Sequence, residues 1–355
     1  MNINSSPTHR AYAHRSAWHG DRMAQRDDWI FMLTPEHNAE IRAALLRAKQ
    51  QGARIPALAK QHFALPTLGA KLLGIRDEIV NGIGFALVRG LEIDELTLED
   101  TALVYWGIGS YLGAGKAQNA QGDMLGHVTD LGVDYRTDMN VRGYQTRLGL
   151  PFHNDAQDVV GLLCLRPARE GGKSRIVSST AIHNVVFERR PDLLAELYRP
   201  IAVDRRGEAP EGKLPYYRGC VFEWIGERLF CRYNRTYMES AQRFDGVPAL
   251  TSLQIEAFEL MDDLCRDPAL YLDMDFQRGD MQFISNYSVL HSRTEYTDWP
   301  ELDRRRYLLR LWLDTGLIEQ LPESYRDRYE DMKIWGANPK PPIFDHSARS
   351  AELAH

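Results

Sequence analysis

Apolar positions recur at helical spacing early in this chain and at alternate positions through most of its later part. The first periodic stretch predicts a helix with Thr34 as its cap and Pro35 at its first position. Ile41, Ala44, Leu45 and Ala48 form its apolar stripe and Gly52 its stop. A second helix is predicted over 67–80, with Leu68, Leu72, Ile75 and Ile79 on one face. A strand over 84–88 follows, and Thr97 opens a third helix with Asp100 placed to answer the cap. These stripes read as core-facing surfaces rather than ligand sites.

Farther on, the run 159–165 is apolar and partly β-branched, as buried strands are. Gly171-Gly172 predicts a turn into a strand over 174–178, then a helix through Arg190 and another opened by Pro191. Residues 220–225 and 228–233 form a predicted hairpin around Gly226, and 248–264 reads as a helix with Leu253, Leu260 and Leu264 inward. Residues 270–276 alternate, Arg278-Gly279-Asp280 turns, and 281–285 alternate again, which predicts a second hairpin. Residues 306–313 are a final strand.

Three segments lack periodicity. Residues 1–28 are polar, without an apolar signal-peptide core, and are expected to be flexible. Residues 113–150 are rich in Gly, Asp, Asn and Gln; an irregular connection this long is usually a functional loop. Residues 336–355, with Pro339, Pro341 and Pro342, read as an irregular tail. A single domain over 29–335 is expected.

At 355 residues and 44% hydrophobic content the chain can bury a sizeable core. A net charge of −6 provides no basic footprint for nucleic acid or an anionic membrane, and no apolar run reaches transmembrane length. Cys164, Cys220, Cys231 and Cys265 have no zinc-type spacing, so buried reduced thiols in a cytoplasmic protein are expected.

Chemistry enters with His153-Asn154-Asp155. On a strand, side chains two apart share a face, so His153 and Asp155 can meet one ion while Asn154 turns away. With 11 histidines and 49 acids, roughly 1.5 such pairs arise by chance, so the pair alone is weak. His19-Gly20-Asp21 is a decoy of this kind, in a segment with no strand pattern. The downstream company of His153 is more specific. His291 follows the alternating segments, and Arg306 and Arg310 share one face of an apolar strand at about 13 Å separation. Two cations there need anionic partners, and a guanidinium fork suits a carboxylate. Two imidazoles and one carboxylate form a facial iron(II) set with three positions open, an arrangement for oxygen activation. Metal binding needs neutral imidazole, so iron affinity is expected to weaken below about pH 6.5.

The succession His153-x-Asp155, Gly171-Gly172-Lys173-Ser174, Gly279-Asp280, Asn286-x-x-x-Leu290-His291-Ser292-Arg293-Thr294 and Arg306-x-x-x-Arg310 resembles the taurine dioxygenase-like family. These are iron(II)- and 2-oxoglutarate-dependent oxygenases, and the resemblance runs from about residue 82 to 314. It implies an α+β fold, a double-stranded β-helix (jelly roll) over 151–314 buttressed by the helices of 29–112. It also implies iron(II) on His153, Asp155 and His291, with O2 as co-substrate. Arg306 would bind the distal carboxylate of 2-oxoglutarate and Ser174 would assist. Lys173-Ser174 departs from the family's usual acidic-Thr pair. Arg310 would contact co-substrate or substrate. The implied reaction is hydroxylation of an unactivated C–H bond with release of succinate and carbon dioxide, and an acid at 155 argues against halogenation. Relatives of this type often form dimers or higher assemblies, so the resemblance also suggests a homo-oligomer.

The loop before His153 is expected to cover the iron, with Asn119, His127, Tyr135 and Arg147 as candidate substrate contacts. Arg310, helped by Arg147 or Arg293, points to an anionic or amino-acid-like small molecule, with Tyr135, Tyr144 and Phe152 on an apolar side. A metal or 2-oxoglutarate sensor without turnover, and a metal-dependent hydrolase, are the alternatives at this level.

Overall fold

The computed structural model describes residues 10–134 and 141–344. Two sheets organise it. The larger runs Ile30–Met32, Phe85–Arg89, Met281–Ser285, Val159–Arg166, Tyr307–Asp314 and Ala114–Lys116, with Gly126–Val128 also paired to Tyr307–Asp314. The smaller has the order Tyr271–Met274, Ser174–Ser178, Val289–Arg293 and Leu150–His153. From residue 150 onward the chain passes repeatedly between the two sheets, so the space between them is lined by side chains from both.

The early helices form as their caps and stripes predict. Pro35–Gln50 opens on Thr34, whose side chain accepts from the His37 N–H, and it buries Ile41, Ala44, Leu45 and Ala48. Leu68–Asn81 and Leu98–Leu112 follow, the latter buried along nearly its whole length, and Thr97 Oγ1 accepts from the Asp100 N–H. All three belong to one apolar core with the larger sheet. Residues 10–28, expected to be flexible, are packed: Trp18 and Met23 lie in that core, and the Gly20 N–H donates to the Leu270 carbonyl at 3.0 Å.

Between Ser174–Ser178 and Tyr271–Met274 a long insertion builds a second core. Helices Ser179–Arg189, Pro191–Leu197 and Ser252–Cys265 pack there with the hairpin strands Phe222–Ile225 and Arg228–Cys231, against Val177 and Leu290 of the smaller sheet. The last of these helices starts at Ser252, capped by Thr251, and its buried face is Ala257, Phe258, Met261, Leu264 and Cys265. Leu253, expected inward, is 43% exposed in the first turn.

The hairpin expected over 270–285 does not form. Tyr271–Met274 pairs with Ser174–Ser178, whereas Met281–Ser285 sits between Phe85–Arg89 and Val159–Arg166 in the other sheet. Alternation identifies strands and leaves their partners open. The crossing is made at Gly279, where φ is +86° and a Cβ would meet the Leu91 carbonyl oxygen at 2.2 Å. Buried Asp280 locks it by accepting from Arg89 at 2.7 Å and from the Gln277 N–H at 2.8 Å.

The helix Glu323–Trp335 has no counterpart among the expected elements. Its buried positions Tyr325, Arg328, Asp331, Met332 and Trp335 have helical spacing, but two of them are charged, which hides the stripe. Beyond it the Lys340 N–H donates to the Gly122 carbonyl at 2.9 Å, tying the start of the tail to the 113–150 segment. That segment is partly ordered sheet, with Ala114–Lys116 and Gly126–Val128 both on Tyr307–Asp314. Among the described residues no helix is long and apolar enough to cross a membrane, and the four cysteines are buried and unbridged.

Candidate active site

The smaller sheet sets two histidines face to face. Leu150–His153 and Val289–Arg293 are antiparallel with His153 opposite His291, and their ring centroids are 4.4 Å apart. Asp155 is not on the strand: the strand ends at His153, and the carboxylate lies in the turn leading to Val159–Arg166. Strand alternation is therefore the wrong reason for the pair, and the turn brings the carboxylate back. Its anchors are buried amides. The Tyr233 N–H donates to Asn154 Oδ1 at 2.7 Å, and Asn154 donates to the Val289 carbonyl at 3.0 Å. Asn286 Oδ1 accepts from the Asp155 N–H at 3.0 Å while its amide donates to the Gln157 carbonyl at 2.8 Å.

One ligand-capable atom from each of His153, Asp155 and His291 lies within 4.8 Å of the others, close enough to share an ion. His291 Nε2 is 4.0 Å from Asp155 Oδ2. His153 Nδ1 donates to the Pro151 carbonyl at 2.8 Å, which fixes its tautomer and leaves the Nε2 lone pair for a metal. Trp312 Nε1 donates to Asp155 Oδ2 at 2.9 Å, and Arg310 Nη1 stands 3.6 Å from the same oxygen. Burial pushes the Asp155 carboxyl up, but Arg310, both histidines and the Trp312 N–H outweigh it and hold it below the ordinary value. Burial, with His153 beside it, drives His291 down to about 3. A carboxylate and a neutral imidazole are the protonation states a metal requires.

A cavity of about 200 Å³ opens on these three side chains and is also lined by Ser174, Arg306 and Arg310. Arg306 is 3% exposed, and its Nη1 is buried with no partner among the described residues. Its guanidinium has the Tyr296 ring at 5.1 Å and reaches the Gly172 carbonyl only at 3.5 Å. Burial, the largest influence, holds its pKa below the ordinary arginine value. Gly172 makes room: φ there is +66°, and a Cβ would stand 3.0 Å from Arg306 Nε. Arg310 is engaged instead. Its Nε donates to Gln118 Oε1 at 2.8 Å, the Gln118 amide returns a bond to the Arg310 carbonyl at 2.8 Å, and Tyr144 lies 4.5 Å from its guanidinium. Ser174 Oγ donates to Gln282 Oε1 at 3.0 Å.

The loop candidates separate. Asn119 lines the cavity, but its amide is spent on its own turn, donating to Asp123 at 2.8 Å and accepting from the Gln121 and Asp123 N–H groups. His127 is buried and hydrogen-bonded to the Tyr307 hydroxyl; its strand neighbour Val128 lines the cavity instead, as alternation requires. Arg147 is exposed and away from the cavity. Tyr135 lies outside the described residues. Tyr144 lines the cavity, as does Arg293, which donates to the Thr146 and Leu148 carbonyls.

Comparison with known proteins agrees with this geometry. The family model described as "Taurine catabolism dioxygenase TauD, TfdA family" matches residues 49–312. The chain belongs to this dioxygenase family. It is 31% identical over 324 residues to the FR-33289 synthase of Streptomyces rubellomurinus (strain ATCC 31215), covering 90% of this chain and 95% of that protein. It is 30% identical over 344 residues to the taurine hydroxylase-like protein SAT17 of Stachybotrys chartarum (strain CBS 109288 / IBT 7711), covering 92% and 88%. A solved structure of asparagine oxygenase in complex with Fe(II), 2S,3S-3-hydroxyasparagine and succinate superposes with a TM-score of 0.63 at 18% identity, covering 81% of this chain and 94% of that one. This TauD/TfdA-family protein is an iron(II)- and 2-oxoglutarate-dependent oxygenase that uses O2.

Sequence reasoning missed several side chains that build the site of this family member. Trp312 was legible, because it follows Arg310 by two on the same strand and so shares its face. Gln118 left no signal, since its partner is 192 residues away. Arg206 and Arg232, which also line the cavity, come from the insertion between strands and carry no motif.

Proposed function

We propose that His153, Asp155 and His291 hold iron(II) in a double-stranded β-helix, that Arg306 binds the distal carboxylate of 2-oxoglutarate, and that the enzyme hydroxylates an unactivated C–H bond of a small anionic or amino-acid-like molecule, releasing succinate and carbon dioxide. The observation that carries this reading is Arg306. A guanidinium that buried, with Nη1 unpartnered among the described residues, is costly unless an anion completes it, and it opens on the same cavity as the three metal-capable donors. The β-helix reading is supported by the way strands from residue 150 onward divide between two sheets.

Iron(II) on these three side chains, with 2-oxoglutarate on Arg306, would activate O2, one oxygen atom going into the substrate C–H bond and the other into the succinate left when the keto acid loses carbon dioxide. The protein's own residues supply placement. The Pro151 carbonyl holds the His153 ring, Trp312 and Arg310 help hold the Asp155 carboxyl in the ionised state, and Asn286 fixes the Asp155 backbone. Arg306 orients the co-substrate by a bidentate contact made far from the reacting end. Arg310, already satisfied by Gln118, acts on Asp155 as a positioning residue, and Ser174 makes at most a secondary contact because its proton goes to Gln282. The 3-hydroxyasparagine held by asparagine oxygenase favours an amino-acid-like substrate.

The test is anaerobic. Iron(II) and then 2-oxoglutarate are added to metal-free protein, and the weak visible band of the chelated keto acid is recorded for wild type, Asp155→Ala and Arg306→Ala. A band in wild type that weakens or disappears in both variants is expected. Bound iron with no band in wild type would overturn the reading and bring a sensor or hydrolase forward.

A further inference from the structure

Among the described residues, seven arginines and three carboxylates line the cavity. Four of the arginines are engaged within the protein. Arg142 pairs with Glu208 at 2.8 Å, Arg328 faces Glu208 and Asp331 at 3.5 and 3.6 Å, Arg310 faces Asp155, and Arg293 donates to backbone carbonyls. Arg306, Arg206 and Arg232 have no carboxylate within 4.0 Å among the described residues. The proposed function uses Arg306 for 2-oxoglutarate. Two buried cations are left over.

Both are unusual. Each is 8% exposed, and each has an Nε that is buried with no partner among the described residues. Among those residues no hydrogen bond reaches the Arg206 guanidinium, whose neighbour is the Tyr237 ring at 5.4 Å. The nearby Asp204 carboxylate is already committed, accepting from the Arg206 backbone N–H, from Ser240 Oγ and from Arg243. Among the described residues Arg206 is also the non-glycine residue with a left-handed backbone, φ +54°, so the chain holds an uncommon conformation where this side chain lines the cavity. Arg232 donates from Nη2 to the carbonyl of Ala156, the residue after Asp155, at 3.3 Å, which sets it beside the metal turn. Two buried guanidiniums lining one cavity, with no carboxylate within 4.0 Å among the described residues, are a site for an oxyanion.

We propose that Arg206 and Arg232 form the substrate's oxyanion subsite, and that the substrate is a small molecule carrying a carboxylate, sulfonate or phosphonate group held there. This assignment moves substrate recognition away from Arg310, which has its partners, onto the 179–270 insertion. It rests on the oxygenase reading only in giving Arg306 to 2-oxoglutarate.

The test is calorimetric titration of acetate, sulfate and inorganic phosphate into anaerobic protein loaded with iron(II) and saturating 2-oxoglutarate, with the visible band recorded on the same sample. At least one anion binds wild type, and binding weakens about tenfold or more in Arg206→Gln and Arg232→Gln, because a charge-assisted bond is lost. Arg190→Gln, on the exposed surface, leaves binding unchanged. Where the glutamine variant does not fold, Arg206→Lys keeps the charge without the fork and gives intermediate affinity. A preference for acetate assigns a carboxylate substrate, and a preference for sulfate or phosphate a tetrahedral one. No anion binding by wild type, or equal binding by the variants, overturns the proposal. If the band is absent yet anion binding depends on Arg206 and Arg232, the subsite stands and the oxygenase reading fails.

Discussion

Arg306 and Arg310 stand at the start and the middle of one strand region, open on one cavity, and are held in opposite ways. Arg310 is tied down by Gln118 and stands beside Asp155, so its charge is answered inside the protein. Arg306 is more deeply buried, with an aromatic ring and a distant carbonyl for company. A buried charge with an internal partner shapes its neighbours; one without a partner is kept for a ligand, since folding alone does not repay its desolvation. The two arginines look equivalent in the motif, and their environments divide the labour.

The largest effect expected from this contrast is at Arg306. Arg306→Gln should weaken 2-oxoglutarate binding by about 2–5 kcal/mol, roughly 30-fold or more, as truncation of a buried charged pair does. Iron affinity should hold, and the ligand-free protein should melt no lower than wild type because a buried unpaired charge is gone. Anaerobic titration of the visible band and a thermal melt check both. A marked loss of melting temperature would mean that Arg306 is structural.

Next comes Arg310→Gln, which removes the cation that helps keep Asp155 ionised. Iron affinity should drop about tenfold, the usual scale for a residue supporting a metal ligand, while 2-oxoglutarate affinity shifts less than about threefold. Iron titration against a competing chelator decides the point. The reverse pattern would return Arg310 to the co-substrate role that the family resemblance implies.

The pH response sharpens the contrast further. An unfolded histidine titrates near pH 6.5, whereas folded His291 is held down at about 3, so in that window the unfolded chain binds more protons. Its contribution to stability is complete above about pH 6.5 and is lost progressively as pH falls towards 3. The lowered Asp155 carboxyl adds a further loss below the ordinary carboxylate range. Urea midpoints of metal-free protein at about pH 7 and about pH 5 should show the decline, and His291→Gln should reduce it. With His291 held neutral in this way, protons do not compete with iron for its ring nitrogen near pH 6.5, contrary to what an unperturbed imidazole predicts.

The smallest effect is expected at Ser174. Ser174→Ala should cost about 1 kcal/mol of stability through the lost bond to Gln282. Its effect on 2-oxoglutarate affinity should stay within about threefold. A large affinity loss with unchanged stability would show that the hydroxyl turns to the co-substrate.

The helices opened by Thr34 and Thr97, the strands 159–165 and 174–178, and the ordered set from His153 to Arg310 were legible because each rests on local chemistry: a cap, a stripe, a pleat or a spacing. Asp155 was found for a reason that fails, since it sits in a turn held by Asn154 and Asn286 rather than on the strand. The pairing of 271–274 and 281–285 was misread because alternation is the same whichever sheet a strand joins. The helix Glu323–Trp335 hid behind Arg328 and Asp331, which are buried through pairing that a single sequence does not display.

By itself the sequence determined which residues can bind metal and oxyanions, and where most helices and strands begin, since donor chemistry and backbone preference belong to the residue and its near neighbours. Tertiary structure alone decided which of these side chains share a cavity, that Arg310 faces a carboxylate while Arg306, Arg206 and Arg232 have none in reach among the described residues, and that His291 stays neutral. Those properties depend on burial and on partners far along the chain, such as Gln118 for Arg310, and desolvation has no sequence signature until the fold has closed around the charge.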